Sequence, residues 1–176
     1  MMIALVLLWV GAVLVLNGLW LLGRIGEREI AVINLVTAGI GAVMALGAAL
    51  RPGATVTGEI AFGAFVLLFA VTYLWVAVNR LCGFDGRGLG WYCLFVAITA
   101  GPVGLELLAQ ARQPWGYWLA LNWLAWGLLW LLYFLLLVPR RLDTRLVGWV
   151  TVLEGVLTAW LPAYLLLMGH LPLQPS

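Results

Sequence analysis

Trp115–Val138 reads WGYWLALNWLAWGLLWLLYFLLLV, with its nearest charges at Arg112 before it and Arg140 after it. A helix rises about 1.5 Å per residue, so about 20 apolar residues cross the roughly 30 Å of hydrocarbon in a bilayer. This run meets that length and carries no charge that needs water. Read outward from it, the chain offers five more spans: Ile3–Leu22, Ile30–Leu50, Ile60–Val78, Trp91–Ala109 and Leu146–Gly169. Between them lie Gly23–Glu29, Arg51–Glu59, Asn79–Gly90, Gln110–Pro114 and Pro139–Arg145, which hold nearly every charge. Loops this short force successive helices to run antiparallel. The expected architecture is an all-α polytopic membrane protein, residues 1–176 forming one domain of six transmembrane helices.

Composition agrees. The chain is 65% hydrophobic and 9% charged, against about 45–50% and about 25% in soluble domains, so its surface must meet lipid. A net charge of +2 gives no footing for nucleic acid, and all 9 basic residues are arginines. Arg24, Arg28, Arg80, Arg87, Arg140, Arg141 and Arg145 fall in or beside the first, third and fifth loops, leaving only Arg51 and Arg112 for the others. The positive-inside rule then puts the odd loops in the cytoplasm and both termini outside a bacterial-type cytoplasmic (inner) membrane. Met1–Leu22 lacks the basic start and cleavage site of a signal peptide and reads as a retained span. Cys82 and Cys93 have no histidine nearby and fit no zinc spacing. No Ser/His/Asp set or metal cluster appears, so neither an enzyme nor a cofactor is expected.

A weak internal repeat organises the spans. Asn17 near the end of the first recurs as Asn79 after the third. Val36-Thr37-Ala38-Gly39 recurs at the same offset as Ile98-Thr99-Ala100-Gly101, and Leu157-Thr158-Ala159 follows at nearly that offset again. Three tandem helical hairpins around a path at their interface would produce this pattern. The second span is rich in Gly and Ala from Ala38 to Ala49, which suits close packing inside the bundle or between subunits.

Within the spans, Trp123, Trp126 and Trp130 fall on one face, and Phe62, Phe65, Phe69 and Tyr73 on another. Helix packing or lipid contact would account for either stripe alone. Depth sets them apart: Phe69 and Trp130 lie about 12–14 Å from the cytoplasmic end and Tyr73 about 8 Å. Glu154 lies about 12 Å deep, on one face with Thr151 and Thr158. A carboxylate there costs at least about 2.5–3.5 kcal/mol, and it serves either the path or a tie between helices. Glu106, near the outer end of the fourth span, reaches the headgroups.

The chain resembles the AmiS/UreI family of urea channels and amide transporters over nearly its whole length. The resemblance rests on Leu8-Trp9-Val10-Gly11 with Asn17-Gly18, and on Thr72-Tyr73-Leu74-Trp75-Val76-Ala77-Val78-Asn79. It continues in Trp91-Tyr92-Cys93-Leu94-Phe95-Val96-Ala97-Ile98, in the stretch from Trp123 to Trp130, and from Leu153 through Glu154 to Ala163. It implies six spans, a homo-hexamer with a pore in each protomer, and constrictions built here by Phe69, Tyr73, Trp126 and Trp130 with Trp123 close by. Glu154 corresponds to the family's buried glutamate. The implied function is passive passage of urea or short acetamide-like amides; the alternative is a proton-coupled amide carrier using Glu154. Acid-gated members have long, histidine-bearing outer loops, whereas Arg51–Glu59 and Gln110–Pro114 are short and lack histidine. Acid gating is not expected.

Overall fold

The computed structural model describes residues 2–170. It contains six helices long and apolar enough to span a membrane: α1 Met2–Leu21, α2 Ile30–Ala49, α3 Val56–Cys82, α4 Arg87–Gln110, α5 Pro114–Leu137 and α6 Thr144–Leu167. The chain is a multi-pass membrane protein with the expected number of spans.

Two helices run further toward the arginine-rich end than hydropathy indicates. α3 continues past Val78 and takes in Asn79 and Arg80, while α4 begins at Arg87 rather than Trp91. Hydropathy marks where hydrocarbon ends; the helices stop where the backbone turns. Gly83 (φ 71°) and Gly86 (φ 82°) adopt left-handed conformations that cost a residue with a Cβ more than they cost glycine. The expected loop over Asn79–Gly90 therefore shrinks, and Gly88 and Gly90 lie inside α4. At Gly90 a Cβ would sit 2.5 Å from Val138 Cγ2, so this glycine allows close approach of the α5 end. Asp143 caps α6 by accepting from Arg145 N at 3.0 Å, satisfying a first-turn donor.

Each helix contacts the next in chain order and α6 contacts α1, closing a ring. Three helix pairs surround a central path, with the tightest contacts one helix along from the sequential hairpins: α2–α3, α4–α5 and α6–α1. Small residues set these contacts. A Cβ on Gly63 of α3 would lie 2.6 Å from Ala45 O, and one on Gly41 would lie 3.1 Å from Ala70 Cβ. The small-residue face of α2 thus packs α3 within the bundle, while Gly39 and Gly47 point outward with nothing within 4 Å. α1 and α6 meet through Gly11 and Gly18 on one side and Gly148 and Gly155 on the other. A Cβ on Gly11 would come within 2.4 Å of Trp160 N, and one on Gly18 within 2.7 Å of Gly148 O. Side-chain rotation cannot relieve clashes with backbone, so the ring closes only because these positions lack side chains.

Candidate functional site

Two cavities lie end to end along the axis. The one toward the arginine-rich end has a volume of about 40 Å³ and is lined by α1 (Leu14, Asn17, Trp20), α3 (Phe69, Thr72, Tyr73, Val76), α4 (Leu89, Cys93) and α5 (Trp126, Leu129, Trp130, Tyr133). At about 10–15 Å³ for each water, it has room for a few waters or one small solute. The second, toward the opposite end, has a volume of about 340 Å³, and its walls include Leu7 and Val10 of α1, Phe62 and Phe65 of α3, Leu107 of α4 and Trp123 of α5. Phe69 and Trp126 line both cavities. They form the partition between them.

Ring geometry explains why this partition is stiff. Phe69 meets Trp126 edge-to-face at 5.1 Å and 87°, Trp130 at 4.7 Å, and Trp123 at 6.1 Å. Phe65 packs on Trp123 at 5.1 Å and 68°. Such tilted contacts place ring edges against ring faces, each worth about 0.5–1.5 kcal/mol beyond burial. The three-and-four spacing of tryptophans on α5 brings them to one face, and α3 supplies the phenylalanines opposite.

The rings are also tethered. Trp126 Nε1 donates to Thr158 Oγ1 at 2.8 Å and Trp130 Nε1 to Thr72 Oγ1 at 3.2 Å. Asn17, at the wall of the smaller cavity, exchanges two buried hydrogen bonds with Asn34 of α2, at 2.6 and 3.1 Å. At the arginine-rich mouth, Trp20 Nε1 donates to Glu27 at 3.1 Å, and Arg80 pairs with the same carboxylate at 2.9 Å. The Arg80 guanidinium lies 5.1 Å from the Trp20 ring centroid.

Of the residues singled out in the sequence, Phe69, Tyr73, Trp126 and Trp130 border the smaller cavity, and Trp123 borders the larger. Glu154 lies on α6, which contributes no wall residue to either cavity. It is half-buried, and its Oε2 is buried without a hydrogen-bond partner among the described residues. The α1 wall had no sequence signal beyond Asn17, because that helix is apolar on every side. Cys93, which fits no zinc spacing, borders the smaller cavity. Glu106 stays at the exposed helix end and accepts from Gln110 Nε2.

Comparison with known proteins places this geometry. An acid-activated urea channel of Helicobacter pylori is 37% identical over 193 residues, covering 96% of this chain and 99% of that protein. A Mycolicibacterium smegmatis protein named for transport of amidate substrates is 41% identical over 167 residues, covering 93% of this chain and 76% of that protein. The cryoEM structure of the Helicobacter pylori urea channel in its closed state superposes with a TM-score of 0.81 at 34% identity, over 96% of this chain and 99% of that one. The crystal structure of the Helicobacter pylori channel gives 0.81 at 35% identity, over 98% and 100%. The AmiS/UreI family transporter model matches residues 2–170, and the chain belongs to that family.

Proposed function

We propose that the chain is a passive channel for urea or short neutral amides. The observation that carries this is the pair of cavities inside one chain, separated only by the Phe69–Trp126 partition. Urea and small amides are planar and uncharged, so they fit between flat rings and lose only part of their hydration there. An ion would have to shed its hydration among rings that offer too few compensating ligands. Phe69, Tyr73, Trp123, Trp126 and Trp130 are assigned as the pore residues. Glu154 stands behind the wall on α6, its buried Oε2 without a hydrogen-bond partner among the described residues. Both termini lie outside the cytoplasmic membrane, following the arginine distribution. Six copies form a ring, as the family resemblance implies.

The channel is not acid-gated in this proposal. The segments 50–55 and 111–113 that join helices at the outer end are short, leaving little chain to order or release. The single histidine, His170, is exposed past the end of α6, and shifting a two-state gate from mostly shut to mostly open takes about 5.5 kcal/mol. One exposed imidazole, screened beyond about 8 Å, does not supply that. At the cytoplasmic end, hydrogen bonds from Arg87 hold the Asp85 carboxyl below its usual range, so it does not titrate near neutrality.

Vesicles with an imposed pH difference between about 5 and 8, the window in which histidine titrates, test the passive reading. Acetamide is expected to reach equal concentration on both sides whatever the direction of the proton gradient, with initial rates changing less than about twofold. Accumulation against its own gradient would establish proton-coupled carriage instead, with Glu154 the proton site.

A further inference from the structure

Three α5 side chains at the smaller cavity carry a polar group, and each is bound to a threonine. Trp126 Nε1 meets Thr158, Trp130 Nε1 meets Thr72, and the Tyr133 hydroxyl lies 3.2 Å from Thr151 Oγ1. In every case the threonine's own proton is already committed to the carbonyl one turn back. Thr158 donates to Glu154 O at 2.6 Å, Thr72 to Leu68 O at 2.7 Å, and Thr151 to Val147 O at 2.7 Å. A hydroxyl has one proton and two lone pairs. With the proton spent, each oxygen is left as an acceptor, and an indole, which only donates, is the partner it suits.

Thr158 is built for this task by the helix around it. In a regular helix its carbonyl would receive the N–H of residue 162, but Pro162 has none. The helix widens over Gly155–Trp160, where Leu161 N reaches back to Val156 O. Such widened turns recur at functional sites. Asn122 Nδ2 fills Thr158 O at 3.0 Å. Thr158 therefore holds α5 at Asn122 and, one turn on, at Trp126.

We propose that Thr158 and Thr72 are positioning residues that set the selectivity of the passage. By engaging the N–H of Trp126 and Trp130, they fix the two rings and leave neither donor free for the solute. The solute then meets ring carbon and π-faces, which favour a molecule rich in N–H groups such as urea. The inference rests on the channel reading above, and the wild-type measurement tests that reading separately.

The test is the ratio of urea to acetamide permeability in proteoliposomes, which cancels the amount of folded protein. Thr158→Val removes the acceptor while keeping the side-chain shape. The freed ring loses its fixed tilt, and the ratio is expected to shift about fivefold toward acetamide, the weight of one net hydrogen bond. Thr158→Ser keeps the hydroxyl and is expected to hold the wild-type ratio. A Thr158→Val ratio within twofold of wild type overturns the inference, as does an equal shift in Thr158→Ser. Should Thr158→Val fail to assemble, Thr72→Val and Thr72→Ser read the same device at Trp130, and an unchanged Thr72→Val ratio overturns it. Wild-type protein that passes neither solute refutes the channel reading instead.

Discussion

Trp126→Ala is expected to raise the permeability of bulkier amides such as butyramide, relative to urea, by about tenfold or more. The indole is one half of the partition between the two cavities, so truncation joins a space of about 40 Å³ to one of about 340 Å³. It also removes the edge-to-face contacts with Phe69 at 5.1 Å and Trp123 at 5.8 Å, together with the bond to Thr158. Truncating a buried tryptophan costs about 3–5 kcal/mol, so folding must be confirmed by circular dichroism before flux is read. A variant that assembles and keeps the wild-type solute ratio would show that the partition does not limit passage.

Gly18→Leu is expected to prevent the ring from closing. At Gly18 even a Cβ would lie 2.7 Å from Gly148 O and 2.8 Å from Val152 N. These are backbone atoms of α6, and they retreat only if the two helices separate. Inserting single methylenes into a packed core costs about 1–3 kcal/mol, and a leucine here adds several. Gly39→Ala is the control, because nothing lies within 4 Å of that position and alanine favours helix over glycine by about 1 kcal/mol. In detergent, Gly18→Leu should elute as aggregate or melt far below wild type, while Gly39→Ala matches or exceeds it. Equal melting of Gly18→Leu and wild type would mean that α1 and α6 are not held this closely.

The number of spans was legible because hydrocarbon thickness imposes a length that apolar runs report directly. The aromatic stripes of α3 and α5 were legible because their spacing puts large rings on single faces. Other features left no such trace. Gly11, Gly18, Gly148 and Gly155 read as ordinary glycines among many, and only the approach of α1 to α6 gives them meaning. The α1 wall was hidden because an all-apolar helix has no face to distinguish lumen from lipid. Thr158 and Glu154 sat together in the sequence on one helix face, and the buried carboxylate drew the functional reading. In the structure the threonine holds Trp126 at the cavity wall, while α6 contributes no residue to that wall. Thr72 was legible only as part of a family-like run. Its partner Trp130 is far off in the chain, and no local pattern announces their contact.

A passive channel lets uncharged amides cross through this chain down their gradient. Stopped-flow light scattering on proteoliposomes loaded with urea or acetamide measures it directly. Permeability is expected to lie well above that of protein-free liposomes, to rise in proportion to the gradient and to be indifferent to membrane potential. Permeability equal to that of empty liposomes, with the protein shown to be folded and inserted, would contradict it.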